Sequence, residues 1–160
     1  MGAVNGTTCT PCPSGKVSAA AGASDCTACS LGQQSSSSNT VCEGCPPGFG
    51  DDDANPATEC AQCPPGLYKA QASAATPACA QCDPGRFQDG AGSTACGHCA
   101  SGKFSGAAAA ACGLCQAGQY SALASGSQSC KPCEAGTYAG SAGLSACADC
   151  APGYAQPDAN

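Results

Sequence analysis

The sequence predicts a small disulfide-rich repeat protein, an elongated ladder of short β-hairpin and turn loops with few regular elements and no helix of consequence. Three observations predict this fold class: an excess of cysteine, a fixed period in the cysteine positions, and a shortage of large apolar side chains. Cysteine supplies 18 of the 160 residues, about 11% of the chain, whereas a share of roughly 8–10% already marks a disulfide scaffold. We therefore expect crosslinks to replace a hydrocarbon core.

The apolar residues of the chain are too small to build a conventional core. Hydrophobic residues make up 42% of the sequence, but 34 of them are Ala and 18 are Cys, and Trp is absent. Val, Ile, Leu and Phe together supply about 7% of the residues, far below the roughly 20% under which a chain tends to be disordered. Covalent closure of loops is the remaining source of order.

The cysteines follow a strict internal period. Nine C-x-x-C pairs recur every 16 to 19 residues and include every cysteine. The pairs begin at Cys9, Cys26, Cys42, Cys60, Cys79, Cys96, Cys112, Cys130 and Cys147. A glycine follows three residues after each pair, namely Gly15, Gly32, Gly48, Gly66, Gly85, Gly102, Gly118, Gly136 and Gly153. We expect residues 1–160 to form one continuous array of about nine units, each about 17 residues long, within a longer protein.

Each glycine is predicted to sit in a tight turn that presents an aromatic residue. Pro-x-Gly sequences favour such turns, because Gly accepts backbone angles that other residues resist. An aromatic follows two residues later in five units, at Tyr68, Phe87, Phe104, Tyr120 and Tyr138. We expect this ring to pack across its own cystine or the next one, as the nearest equivalent of a core. Helical periodicity is absent, so the regular structure should be short strands and turns.

The spacing allows three cysteine connectivities, which the sequence separates only in part. In an interlaced scheme Cys9 joins Cys26 and Cys12 joins Cys29, which leaves one pair over. In a second scheme each C-x-x-C closes on itself, as in redox catalysts. The favoured ladder makes all loops equivalent and encloses every turn. Its bonds are Cys12–Cys26, Cys29–Cys42, Cys45–Cys60, Cys63–Cys79, Cys82–Cys96, Cys99–Cys112, Cys115–Cys130 and Cys133–Cys147.

The ladder has two structural consequences. Cys9 and Cys150 remain without partners in this chain, and we expect them to bond to cysteines of flanking units in the full protein. Each closed loop of about 15 residues contributes roughly 3 kcal/mol on the chain-entropy model. The array should form a narrow rod in which each unit touches mainly its neighbours.

The pattern C-x-x-C-x-x-G-x-(Tyr/Phe) resembles the cysteine-rich repeats of ephrin-receptor-like and tumour-necrosis-factor-receptor-like ectodomains. The resemblance extends from Cys9 to Tyr154 and implies that each CPxGxY loop closes onto the first cysteine of the next pair. Similar tandem repeats are typical of large surface proteins of protists and algae. The resemblance therefore implies an extracellular or cell-surface location.

Other chemistries have weaker support in the sequence. Two adjacent C-x-x-C pairs approach the spacing of a four-thiolate zinc site, but nine pairs cannot be divided into four-ligand sites. The single histidine, His98, is expected to be an exposed polar residue. Asp51, Asp52 and Asp53, with Glu59 nearby, lack the alternation of a calcium loop. We expect no catalytic residues, no metal site and no cofactor.

Charge and hydropathy limit the partners and the location. The net charge is −6, and the basic residues are spread too thinly for a nucleic-acid surface. No apolar run is long enough for a membrane span in this segment, and the first residues lack the features of a secretory signal. We expect passage through the secretory pathway, where the sequon at Asn5 could carry an N-linked glycan.

These observations favour a non-enzymatic structural or assembly module of an extracellular or cell-surface protein, such as a stalk, filament or matrix component. Its expected partners are other repeats of the same parent protein, lateral copies of itself, or other surface proteins. The alternative function is a receptor-like ectodomain that binds a protein ligand. A zinc-binding array and a C-x-x-C oxidoreductase are minor alternatives.

Overall fold

Each hairpin of the array begins with a tight turn that depends on the repeated glycine. The computed structural model describes residues 8–51, 55, 58–73 and 78–156. In the first loop, the amide of Lys16 donates a 3.0 Å hydrogen bond to the carbonyl of Pro13, across a turn whose third residue is Gly15. Gly15 has a φ of 74°, the positive value that a type II turn requires at this position. The same bond closes all nine turns.

The turn and the next C-x-x-C pair determine the two strands of each hairpin. The first strand begins one residue after the turn glycine, and the second contains the residues between the two cysteines. The described residues form eight separate two-stranded antiparallel sheets and no helix, which confirms the predicted fold class. The pairs are β1 (Lys16–Val17) with β2 (Thr27–Ala28), β3 (Gln33–Ser35) with β4 (Cys42–Gly44), β5 (Phe49–Gly50) with β6 (Ala61–Gln62), β7 (Leu67–Tyr68) with β8 (Ala80–Gln81), β9 (Arg86–Phe87) with β10 (Gly97–His98), β11 (Lys103–Phe104) with β12 (Gly113–Leu114), β13 (Gln119–Tyr120) with β14 (Lys131–Pro132), and β15 (Thr137–Tyr138) with β16 (Ala148–Asp149).

Eight disulfides close the loops in a ladder. Each joins the cysteine before a turn to the first cysteine of the next pair, with Cα atoms 5.6 to 5.8 Å apart. These are the same pairs that the sequence favoured, and the structure contains neither the interlaced nor the self-closed bonds. The bonds are Cys12–Cys26, Cys29–Cys42, Cys45–Cys60, Cys63–Cys79, Cys82–Cys96, Cys99–Cys112, Cys115–Cys130 and Cys133–Cys147.

Sulfur atoms rather than hydrocarbon side chains occupy the interior. Five cysteines have no exposed surface, and each is the second cysteine of its pair: Cys45, Cys63, Cys82, Cys99 and Cys115. Among the described residues, no larger side chain is fully buried. An isolated two-residue hairpin has no second layer to cover its face, and two-stranded ribbons alone are marginal in water. The stacked cystines supply that missing layer.

The repeated aromatics lie beside this interior and are not its centre. Phe87 pairs across its hairpin with Gly97, and Phe104 pairs with Gly113. A Cβ placed on Gly113 would lie 3.2 Å from the Phe104 ring, so the ring covers the bare backbone of its cross-strand partner. Both rings are half-buried, and Tyr138 is 46% exposed. The aromatics therefore shield individual hairpins, while the cystines hold the centre.

Candidate functional site

The contacts between successive loops are the most developed non-covalent feature of the molecule. We number the loops as units by the residues that each disulfide spans. They are unit 1 (12–26), unit 2 (29–42), unit 3 (45–60), unit 4 (63–79), unit 5 (82–96), unit 6 (99–112), unit 7 (115–130) and unit 8 (133–147), and unit 9 opens at Cys150.

A hydrogen-bonded series joins the turn glycine of one unit to the next unit. The amide of Gly66 donates to the carbonyl of Gln88 at 2.7 Å, and the amide of Gly102 donates to that of Ser121 at 2.8 Å. The acceptor always lies three residues after the turn glycine of its own unit, a place we call the relay position. The relay positions of units 3, 4, 6, 7 and 8 are buried, at Asp51, Lys69, Ser105, Ser121 and Ala139. Sequence reasoning missed this position because the backbone makes the bond and the side chain varies.

Two junctions replace the backbone acceptor with a side chain. The amide of Gly15 donates to the Ser35 hydroxyl at 3.3 Å, and the amide of Gly32 donates to Asp51 Oδ2 at 2.7 Å. Asp51 is 6% exposed, and its other carboxylate oxygen has no hydrogen-bond partner. A carboxylate accepts such a bond strongly, so Asp51 contributes to the junction of units 2 and 3.

In six of the loops, the structure describes one residue with a positive φ at the far end, where the chain turns back, and we call this residue the tip. The tips are Gly22, Asn39, Gly92, Ala108, Gly126 and Gly143, in units 1, 2, 5, 6, 7 and 8. Asn39 and Ala108 have φ values of 53° and 54°. Asn adopts this region with some ease, whereas Ala does so at a cost of about 1–2 kcal/mol. The contact that the tip makes must therefore outweigh that strain at Ala108.

The tip Gly143 packs into a slot made by the two preceding units. The amide of Gly143 donates a 2.8 Å hydrogen bond to the carbonyl of Cys115, which opens the preceding unit. The carbonyl of Gly143 lies against Gly102, two units back, where an added Cβ would come within 3.0 Å of it. The side chain of Leu114 forms the floor, 3.0 Å from the Cβ position of Gly143. A slot thus consists of a turn glycine, the residue before the next unit's opening cysteine, and that cysteine's carbonyl.

The same slot recurs along the array. The amides of Gly92 and Ala108 donate to the carbonyls of Cys63 and Cys82, each at 2.8 Å. Four pairs of turn glycine and tip are in close contact: Gly48 with Gly92, Gly66 with Ala108, Gly85 with Gly126, and Gly102 with Gly143. Contacts therefore reach the second neighbour, which differs from the expectation that units touch mainly their immediate neighbours. The short hairpins allow this, because each loop tip can fold over the turn behind it.

The exposure of the turn glycines and of the tips changes along the array. Six turn glycines, from Gly15 to Gly102, are buried, whereas Gly118, Gly136 and Gly153 are exposed. Gly22 is the one exposed tip among the described tips. Cys9 is exposed and Cys150 is half-buried, and both are free thiols.

Two shallow grooves lie among the last units that the structure describes. A groove of about 380 Å³ is lined by Gly118, Pro132 and Cys133, which are the three parts of the slot in units 7 and 8. A second groove, of about 350 Å³, is lined by Tyr138, Cys150, Ala151, Tyr154, Ala155 and Gln156. Both grooves therefore lie near the C-terminal end of the described residues.

The remaining residues that the sequence singled out have no shared site. His98 is exposed on β10, where it pairs with Arg86 across the hairpin. Glu59 accepts a 3.0 Å hydrogen bond from the Ser14 hydroxyl. Within the described residues, no three His, Cys, Asp or Glu side chains are grouped so that they could hold a metal ion.

Three residues that the sequence singled out lie outside the described ranges. They are the sequon residue Asn5 and the acidic residues Asp52 and Asp53.

Comparison with known proteins leaves the repeat as the main guide to function. No protein-family model and no curated protein matches this chain. In the described ranges, no helix is both long and apolar enough to cross a lipid bilayer. The repeated disulfides and hairpins are those of a cysteine-rich repeat.

Proposed function

We propose that the chain is a non-enzymatic structural module of an extracellular or cell-surface protein, a stiff segment of a stalk, filament or matrix. The observation that carries this proposal is the series of bonds from each turn glycine to the relay position of the next unit. At six junctions these bonds join main-chain atoms, so the stack can be extended there without requiring particular side chains. A module of this kind separates or connects other domains and resists proteases through its closed loops.

The abundance of disulfides supports an oxidising compartment. Sixteen cysteines are paired, and structural disulfides form and persist mainly in secreted and surface proteins. We accordingly place the chain on the secretory route, where Asn5 is a glycan acceptor. The resemblance of the units to ephrin-receptor-like and tumour-necrosis-factor-receptor-like repeats is consistent with this placement.

The distribution of the cysteines argues against a redox enzyme. In a C-x-x-C catalyst the two cysteines of one motif react with each other. Here the two cysteines of a motif belong to separate disulfides, as Cys96 joins Cys82 while Cys99 joins Cys112. Their role in the proposal is to close loops.

Limited proteolysis and electron microscopy of the secreted chain test the proposed function. The non-reduced protein should resist a broad-specificity protease, and reduction should make it cleavable throughout. Negative-stain images should show straight particles of uniform length. Flexible particles of variable length, or a compact sphere, would contradict a stiff spacer. Capture of one defined protein ligand by such a particle would instead support the receptor-like alternative.

A further inference from the structure

The disulfides provide a covalent path along the array that bypasses every closed loop. From Cys12 this path crosses the bond to Cys26 and follows the chain to Cys29. It then crosses the next bond to Cys42, and the same alternation continues to Cys147. Each unit therefore contributes one cystine and one C-x-x-C segment to the path. The loops, whose cysteines are separated by 13 to 16 residues, lie outside it.

The covalent path is much shorter than the chain that it bypasses. The two Cα atoms of a disulfide are 5.6 to 5.8 Å apart, and the three Cα steps of a C-x-x-C segment add at most about 11 Å. One unit can thus lengthen the path by at most about 17 Å, whereas its loop would span about 50 Å if it were extended. Roughly 70% of the extended length of the chain is held in loops that tension along the path does not stretch.

The tip contacts are the non-covalent links that such tension loads first. Gly102 of unit 6 lies against Gly143 of unit 8, and the amide of Gly143 donates to the carbonyl of Cys115 in unit 7. A contact of this kind spans two units of the covalent path and resists its lengthening. It consists of main-chain packing and one hydrogen bond, so it can open and form again without the loss of a covalent bond.

The disulfides of the central units are accessible on one side only. The cysteine that opens each of units 3 to 7 has no exposed surface, as at Cys82. Its partner, the first cysteine of the next pair, is half-buried, as at Cys96. Thiol–disulfide exchange requires a thiolate to attack one sulfur while the other sulfur leaves. An external thiol can therefore reach the disulfide of unit 5 from the side of Cys96.

We propose that the array is a tether of limited extension, in which tension passes through the cystines and the C-x-x-C segments while the closed loops are held in reserve. This inference deepens the proposed structural function and rests on it, because a stalk, filament or matrix component carries load between the parts that it connects. Under load the tip contacts open first, and the covalent path then sets a fixed limit. An external thiol raises that limit by releasing loops one at a time.

The release of a loop is an exchange reaction with a small-molecule thiol such as reduced glutathione. The glutathione thiolate attacks Sγ of Cys96, forms a mixed disulfide there and displaces Cys82 as a thiolate. One S–S bond forms and one breaks, and Cys82 takes up a proton in place of the one that glutathione lost. Tension then separates the two cysteines by up to about 50 Å, which prevents the Cys82 thiolate from attacking the mixed disulfide and restoring the bond.

Single-molecule force spectroscopy of the 160-residue chain tests the proposal. DNA handles are joined through thioether bonds to the free cysteines Cys9 and Cys150, which lie outside all of the disulfides. Without a thiol, the distance between the two attachment points should reach about 140 Å and rise no further. Millimolar reduced glutathione should then raise it in steps of about 40–50 Å, toward about 510 Å. Extension well beyond the first limit without thiol, or thiol-dependent steps of another size, would overturn the proposal.

Two variants separate the covalent limit from the tip contacts. Replacing Cys82 and Cys96 by Ala removes one disulfide and should raise the limit without thiol by about 45 Å, whether or not unit 5 folds. Gly102→Ala is the matched control, because its added Cβ overlaps the Gly143 carbonyl but leaves every disulfide in place. It should lower the force at which extension begins and leave the limit unchanged. An unchanged limit in the double variant, or an unchanged initial force in Gly102→Ala, would contradict the proposed load path.

The outcomes also distinguish this inference from the proposed function. Straight, protease-resistant particles that extend past the covalent limit without thiol refute the tether and leave the structural function intact. Flexible, protease-sensitive particles refute the structural function even where extension stops at the limit, because the limit depends on the disulfides alone.

Discussion

Gly102 lies against the main-chain carbonyl of Gly143, 41 residues further along the sequence and two units away. This contact leaves no room for a side chain at Gly102 and fixes where the loop of unit 8 can lie. The turn glycine thus has two requirements, a positive φ within its own turn and an empty Cβ position for a distant tip.

The first prediction separates these two requirements. Gly102→Ala should destabilise the protein by about 2–5 kcal/mol, because the left-handed angle disfavours Ala and the new Cβ overlaps the Gly143 carbonyl. Gly118→Ala is the control, since its φ of 81° is similar and an added Cβ meets nothing within 4 Å. The free energy of unfolding of Gly118→Ala should fall by only about 1–2 kcal/mol. Hydrogen exchange of the units 6–8 amides measures the difference, and equal losses would mean that the tip contact is loose.

A second prediction concerns the strained tip of unit 6. Ala108→Gly should stabilise this loop by about 1 kcal/mol, because Gly adopts the observed φ of 54° without the penalty that Ala has. Ala109→Gly should instead weaken the loop by about 0.5–1 kcal/mol, since Gly gains only chain freedom there. Exchange of the Gln88 amide, which donates to the Ala109 carbonyl, reports both changes. A loss of protection in Ala108→Gly would refute the strained tip.

A third prediction tests the carboxylate at the junction of units 2 and 3. Asp51→Ala removes the acceptor of the Gly32 amide and should speed the exchange of that amide, at a cost of about 1–3 kcal/mol. Asp51→Asn keeps one side-chain oxygen and should retain most of the protection. Asp89→Ala, at an exposed carboxylate, should have no measurable effect on Gly32. If all three variants behave alike, the 2.7 Å bond is unimportant for stability.

A fourth prediction compares two disulfides that close loops of nearly equal length. Replacing Cys99 and Cys112 by Ala should lower the free energy of unfolding more than replacing Cys12 and Cys26 does. The sequence separations of the two disulfides, 13 and 14, are nearly equal. Loop closure contributes about 3 kcal/mol in both cases. Cys99 is fully buried and Cys12 only half-buried, so the first double variant also leaves a cavity between units. If thermal unfolding shows the same loss of stability in both double variants, loop closure alone determines the contribution of each disulfide.

A fifth prediction concerns the free thiols. Titration with a thiol reagent should give two thiols per chain in denaturant without reductant, because Cys9 and Cys150 are the free cysteines. In the native chain Cys9 should react first, since it is exposed and Cys150 is half-buried. Alkylated Cys9 and Cys150 peptides measured over time by mass spectrometry give the order. Eighteen reactive thiols after chelation would support the zinc alternative instead.

The features that the sequence predicted well are those encoded within a single unit. The C-x-x-G turn, the hairpin and the loop closure each depend on residues fewer than 20 positions apart. Among the described residues the turn occurs nine times, and the hairpin and the disulfide-closed loop occur eight times. Because the turn requires glycine within every unit, the requirement is visible in the sequence as a repeated glycine, for example at Gly66 and Gly85.

The features that were missed join different units through main-chain atoms. The relay position is occupied by Lys69 in one unit and Ala139 in another, so it has no residue signature. The tip is Gly in most described units but Asn39 and Ala108 in two others. Composition alone also does not show that the second cysteine of five pairs is the most completely buried side chain among the described residues. A search for small residues about seven positions after each turn glycine could have located the tips.

The sulfur-centred interior also determines how the protein should respond to temperature. Unfolding with the disulfides intact would expose little apolar surface, and the heat-capacity change of unfolding scales mainly with that surface. A small heat-capacity change flattens the curve of stability against temperature, so that neither chilling nor moderate warming shifts the folding equilibrium far. A stability that changes little with temperature would suit the proposed extracellular module.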